Sequence, residues 1–200
     1  MKNIVPVLLG ADLNCYNVAR AFHEAFGVVS YAFGRYAIGA TEYTKIINFT
    51  AVEKLDTPDV MIKTLEDFAA SHKDDKLILF GCTDDYVLMI AENRERIPQN
   101  YTVPYAEASL IGDITQKANF YELCEKHGIP YPKTVVLERG EPLGDLPFDY
   151  PVIIKPSSSV LYWKFPFDGM KKVYRAHDKS EALDIISSIY ASGYPDKLII

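Results

Sequence analysis

The sequence predicts an α/β fold in two parts: an open parallel sheet with covering helices over residues 1–112, then a smaller α+β unit over residues 113–200. Three observations carry this. Short apolar runs alternate with amphipathic stretches through the first part, which is how successive strand, helix, strand units read. Those runs are continuous rather than alternating, as strands buried on both faces require. Beyond Asp113 the pattern changes: Gly/Pro-rich connections appear, and residues 171–177, "KKVYRAH", alternate as a half-exposed antiparallel strand does.

Taken in order, "IVPVLL" (4–9), closed by Gly10, reads as a buried strand. Asn14 can cap the helix that follows, with Val18, Phe22, Ala25 and Phe26 inward and Gly27 as its stop. "VVSYAF" (28–33) and "KIINFTAV" (45–52) are the next strands, joined by a turn-rich segment holding Gly34 and Gly39. Thr57-Pro58 is a cap followed by proline at the first helical position, opening a helix through Met61, Leu65, Phe68 and Ala69. "KLILFG" (76–81) is a strand, "DDYVLMIAENRERI" a helix, and "YTVPY" (101–105) a fifth strand. A helix over residues 116–127, with Phe120, Leu123 and Cys124 inward, ends at Gly128. "TVVL" (134–137) and "PVIIK" (151–155) are strands around a Gly/Pro-rich link. Asp178 with Glu181 forms a capping box for a helix carrying Ala182, Ile185, Ile186, Ile189 and Tyr190 inward. "KLII" is a last apolar strand with no turn after it, so the 200 residues are expected to be the front part of a longer polypeptide.

Bulk properties narrow the function classes. With 48% apolar and 24% charged residues the chain can bury a core. A net charge of -6 and a pI near 5.2 oppose a nucleic-acid partner, and the basic residues come only in short pairs such as Lys171-Lys172. Cys15, Cys82 and Cys124 are scattered among apolar residues as reduced thiols are, and no Cys/His cluster offers a metal site. The N-terminal apolar run is too short for a membrane span, which makes the cytoplasm the default location.

Four segments could carry chemistry. Lys155 leaves a buried strand into Ser157, Ser158 and Ser159, with Gly169 and the lysine-led return strand behind them. Together they suggest a flap that could hold phosphate oxygens, with lysine as point charge. A solvated strand end is the alternative, and Leu161, Tyr162, Trp163, Phe165 and Phe167 within the loop could be a lid or plain packing. Lys117 sits in the first turn of its helix, where the dipole disfavours a cation unless an anion is near; the alternative is an ordinary exposed lysine. "GADLNCYNVAR" lacks the GxGxxG spacing, yet Asp12, Asn14 and Arg20 could hold a substrate carboxylate at the strand-to-helix turn; Asn14 could equally be only a cap. In "GCTDD", Asp84 could hold an amine or simply suit the start of a helix.

Taken together, "DITQKANFYELCEKHGIPYPKT", "FDYPVIIKPSSS", "GMKKVYRA" and "SEALDII" resemble the ATP-grasp superfamily of carboxylate-amine ligases in composition and order. "PVLLGADLNCYNVARAFHEAFG", "YTKIIN" and "LPFDYPVIIKPSSSV" are similar to the D-aspartate ligase branch, which joins D-aspartate to the lysine side chain of a peptidoglycan precursor. The resemblance implies a pre-ATP-grasp Rossmann-like domain over 1–112 and an incomplete first ATP-grasp subdomain over 113–200. It implies ATP and Mg²⁺ as cofactors, with Lys117 and Lys155 as phosphate ligands and Ser157 to Ser159 with Gly169 as the flap. The family's adenine hinge and acidic magnesium ligands are expected beyond Ile200, so the 200 residues alone should show weak ATP binding and little turnover. The family's loop is glycine-rich, whereas this one carries serines. A non-catalytic α/β nucleotide-binding or scaffold module is the alternative from another class.

Overall fold

The computed structural model describes residues 4–200. The chain divides into two compact units, Met1–Ile111 and Gly112–Ile200.

The first unit is built on β1 (Ile4–Leu9), β2 (Ser30–Gly34), β3 (Ile47–Ala51), β4 (Lys76–Gly81) and β5 (Tyr101–Thr102), all parallel, in the order β3-β2-β1-β4-β5. β1 is central and paired on both sides, and Val7, Leu8 and Leu9 are wholly buried, which is why the run carries no polar alternation. The covering helices are α1 (Leu13–Phe26), the short α2 (Gly39–Glu42), α3 (Pro58–Ser71) and α4 (Asp84–Glu92), followed by a 3₁₀ turn, Arg94–Arg96. One cluster sets Met61, Ile62 and Leu65 of α3 and Ile90 of α4 against Val7, Leu9, Leu77 and Leu79. A second sets Cys15 and Ala19 of α1 beside Leu8, Ala32 and Ile47.

Two details correct the sequence reading of α1. Its cap is Asp12, whose carboxylate accepts from Cys15 N at 3.1 Å; Asn14 lies inside the helix and donates to Asp12 Oδ2. Its buried residues are the small Cys15 and Ala19, while Phe26 is 60% exposed, because a helix pressed close to a sheet seats small side chains in the seam. Close approach also explains Gly81: a Cβ there would lie 2.6 Å from the Val87 backbone nitrogen as the chain turns from β4 into α4.

In the second unit, β6 (Val136–Leu137), β7 (Val152–Pro156), β8 (Tyr174–Ala176) and β9 (Leu198–Ile199) form an antiparallel sheet in the order β6-β9-β7-β8. α5 (Ala108–Thr115) leads into this unit, and the sequence reading missed it. α6 (Lys117–Lys126), α7 (Ser159–Tyr162) and α8 (Lys179–Ala191) complete the fold. Ile154, Tyr162, Ala176, Ala182, Ile189, Tyr194 and Leu198 make up most of the core. α6 buries Ala118 and Cys124, while Phe120 is 42% exposed, against expectation. Asp178 caps α8 by accepting from Glu181 N at 2.9 Å, but the Glu181 carboxylate reaches past the cap to His177 N at 2.8 Å. The segment behind β7 begins as the one-turn helix α7 rather than as an open donor loop, and β8 starts at Tyr174 rather than Lys171.

Candidate functional site

Strand β7 delivers Lys155. Its burial alternates, with Val152, Ile154 and Pro156 inward, so Lys155 shares the open face with Ile153. The ammonium donates to the Tyr121 hydroxyl at 2.9 Å and lies 5.4 Å from that ring's centroid. Tyr121 is itself stacked on Tyr131, 5.3 Å between centroids. Lys155 is thus held by a neutral phenol, and among the described residues no carboxylate stands within ion-pair range of it.

Lys117 is the first residue of α6. Its backbone N donates to Ser157 O at 3.2 Å, and Nζ reaches Ser159 Oγ at 3.0 Å and Ser157 O at 3.4 Å. The serines therefore do separate jobs. Ser157 is fully buried; its hydroxyl accepts from Ala118 N at 3.2 Å and its own N donates to Lys197 O at 3.0 Å. It supplies an acceptor to one of the N-H groups that the first turn of a helix leaves without an intrahelical partner. Ser158, also buried, caps α7 by accepting from Leu161 N at 3.2 Å, and its N donates to the Tyr194 hydroxyl at 3.2 Å. This corrects the reading of Ser157 and Ser158 as open phosphate donors: their hydroxyls are internal and already engaged. Ser159 alone of the three presents its side chain to an open pocket. Gly169 sits at a surface turn with φ of 72°, where a left-handed conformation favours glycine, and it does not line that pocket.

The pocket is a small depression, open to solvent. Lys117, Lys155, Lys172 and Ser159 line it together with Pro156, Val173, Tyr162 and Trp163, and no carboxylate is among the lining residues. Three lysines among its lining residues give this face a positive character in an acidic chain, which favours an anion. Of the loop aromatics, Tyr162 is buried core and Phe165 and Phe167 pack against that core, while Trp163 is 56% exposed. Desolvation raises the Tyr162 phenol above its ordinary pKa.

The remaining candidates lie in the first unit. Asp12 and Asn14 meet at the start of α1, 3.1 Å apart. Arg20 is on the exposed surface of α1, paired with Glu24 at 2.8 Å. Asp84 opens α4 behind the Thr83 cap. The turns after β1 and β4 are side by side, joined by Cys82 N donating to Leu9 O at 2.8 Å. Among the described residues no group of three His, Cys, Asp or Glu side chains is arranged to hold a metal ion. No described helix is long and apolar enough to cross a membrane.

The sequence reading passed over Tyr121 as a site residue, while Trp163 entered it only as part of a lid and Lys172 only as part of the flap's return strand. Tyr121 had a signal, since it stands four residues after Lys117 on one helix face. Lys172 had only its charge and its place at the head of the return strand, because the backbone before it is set by a hydrogen-bond network from Tyr162 to Tyr174.

No protein-family model matches the chain. It is 34% identical over 207 residues to the D-aspartate ligase of Enterococcus faecium (strain Aus0004), a match covering 100% of this chain and 49% of that protein. The chain thus spans about half the length of the curated relative it matches. Among solved structures, it is similar to the L-amino acid ligase from Bacillus licheniformis, with a TM-score of 0.65 at 12% identity, over 100% of this chain and 44% of that one. It also resembles N5-carboxyaminoimidazole synthetase from Staphylococcus aureus, crystallised with ADP, with a TM-score of 0.62 at 11% identity over 100% and 48%. D-alanine-D-alanine ligase from Bacillus anthracis matches with a TM-score of 0.53 at 15% identity over 100% and 56%. Likeness at such identity speaks to fold alone.

Proposed function

We propose, from the premise that this chain has the fold of the N-terminal portion of ATP-grasp ligases and is similar along its whole length to D-aspartate ligase, that it belongs to an ATP-dependent carboxylate-amine ligase. The observation that carries the reading is the cavity where Lys117 and Lys155 converge with Ser159 and no carboxylate lines the wall. There the phosphates of ATP would be held. Among the described residues Lys155 is held by a neutral phenol rather than by a carboxylate, which leaves it to pair with an anion.

In the reaction proposed, a carboxylate oxygen of the acid attacks the γ-phosphorus, the bond to the β-phosphate oxygen breaks, and ADP leaves. The amine nitrogen then attacks the acyl carbon of the acyl phosphate, the carbon-oxygen bond breaks, and inorganic phosphate leaves with loss of an amine proton. Such chemistry asks a protein mainly for positioning and charge neutralisation. Lys117 and Lys155 would do the second, and the half-buried cavity would limit the access of water. The acid is read as D-aspartate, for which the curated relative is named; the amine is taken to be a lysine side chain of a peptidoglycan precursor and the location the cytoplasm. Asp12, Asn14, Arg20 and Asp84 remain candidates for holding the acid or the amine. Mg²⁺ would accompany the phosphates as the second cofactor, and no step is assigned to it.

Hydroxylamine trapping tests the reading. With the natural full-length protein, ATP and D-aspartate, ADP release should be matched by aspartyl hydroxamate. ADP release that is independent of any carboxylate would contradict the proposed acyl phosphate. Tight ATP binding with no turnover for any acid and amine pair would favour a non-catalytic nucleotide-binding module.

A further inference from the structure

We propose that Tyr121 is a positioning residue for Lys155: its hydroxyl fixes the ammonium in place before an anion arrives and leaves the charge uncancelled; this rests on the nucleotide reading above. Lys155 Nζ donates to the Tyr121 hydroxyl at 2.9 Å and lies 5.4 Å from the ring centroid. Those two distances place the ammonium out beyond the phenol oxygen rather than over the face of the ring, so the hydroxyl makes the contact. An ammonium has three donors. One is spent on Tyr121, which sets the direction of the lysine's end, and two remain for an anion.

The phenol is itself held. Its ring stacks on Tyr131, with centroids 5.3 Å apart and planes 21° from parallel, and the Tyr131 hydroxyl donates to Glu125 Oε2 at 3.4 Å. Glu125 stands four residues after Tyr121 on the same face of α6, so the segment leaving the helix folds back along it and clamps the Tyr121 ring. The turn that brings Tyr131 back is pinned by Ile129 N donating to Cys124 O at 2.8 Å. At its other end α6 is tied to the end of β7, where Lys117 N donates to Ser157 O and Ala118 N to Ser157 Oγ, each at 3.2 Å. Tyr121 therefore reaches Lys155 from a helix whose place against that strand is fixed. Elsewhere in the chain lysines are held by carboxylates: Lys63 by Asp67, Lys179 by Asp145 and Lys197 by Glu138. A carboxylate in the place of Tyr121 would hold Lys155 as firmly, but it would cancel the charge and repel an incoming anion. Lysine is a point charge on a flexible four-carbon stem, and ordering that stem in advance removes part of the cost of binding.

A double-mutant cycle in the natural full-length protein tests this, with ATP titrated calorimetrically into the parent, Tyr121→Phe, Lys155→Met and the double variant. Phenylalanine keeps the ring and its stack on Tyr131 and removes only the hydroxyl, so thermal unfolding should match the parent's. The net worth of one hydrogen bond corresponds to about a fivefold change in an equilibrium constant. Tyr121→Phe should accordingly raise the Kd for ATP about fivefold when Lys155 is present and by less than about twofold in the Lys155→Met background, where nothing is left to position. A residue that only packs would lower Tm and act alike in both backgrounds. If Tyr121→Phe binds ATP as tightly as the parent or more tightly, or loses the same factor with and without Lys155, the positioning role is overturned while the nucleotide reading stands. If Lys155→Met binds ATP as the parent does, the nucleotide reading falls and takes the inference with it.

Discussion

Ser157→Ala separates structure from binding in the run that ties α6 to β7. In the parent, Ser157 is 0% exposed and Ala118 1%, and the Ser157 hydroxyl accepts from Ala118 N at 3.2 Å. Alanine removes the acceptor and leaves a buried N-H with no partner, which costs about 1–3 kcal/mol. The bond is at the long end of the normal range, so the lower half of that interval, about 1–2 kcal/mol, is the expected loss. For a chain of this size that is a fall in Tm of about 2–8 °C. Scanning calorimetry supplies the number, and an ATP titration well below Tm supplies the contrast: affinity should change by less than about threefold, because the hydroxyl faces the protein interior. Ser159→Ala should show the opposite pattern, since that hydroxyl lines the cavity and accepts from Lys117 Nζ at 3.0 Å. Unchanged stability of Ser157→Ala together with a tenfold loss of ATP affinity would refute this reasoning and return Ser157 to the role of phosphate donor.

Other expectations follow from single sites. Lys155→Met should weaken ATP by about 1.5–3 kcal/mol, the worth of a hydrogen bond to a charged group, with the fold retained; isothermal titration with circular dichroism checks both. Gly81→Ala should destabilise the first unit severely, since its Cβ would meet backbone at 2.6 Å that no rotamer change relieves; soluble yield and urea unfolding give the answer. Alkaline stability should be limited by buried phenols: desolvation raises Tyr101, Tyr162 and Tyr194 above the ordinary value of 10, so the unfolded chain loses those protons first. Stability that is fully present below pH 10 should therefore fall as pH rises beyond it, and Tyr101→Phe should flatten that fall in denaturant titrations.

The fold was legible where burial dictates residue type. Strands β1 and β4 lie in the middle of the parallel sheet, so they had to be continuous apolar runs, and their limits could be read directly. The helix caps were harder, because Asp12 and Asn14 are equally good capping residues and only backbone geometry chooses between them. Inward faces failed where small residues won: Cys15 and Ala19 face the sheet in α1, and Ala118 faces inward in α6 while Phe120 stays out. Hydrophobicity ranks phenylalanine above alanine, but a close interface selects by size. In the site, Lys117 and Lys155 stood out by position in helix and strand. What no local pattern carried was the contact from Ser157 to α6, 39 residues apart, or the Tyr162, Tyr174 and Lys171 network that orders the approach to Lys172.

Amide hydrogen exchange of the chain with and without ATP tests the central claim most directly, because it locates the ligand without assuming which residues touch it. Protection should appear around residues 117–121, 155–163 and 171–173, and Lys155→Met should abolish it in all three segments together. Protection confined to the turns after β1 and β4 would contradict a phosphate site in the cavity of Lys117 and Lys155.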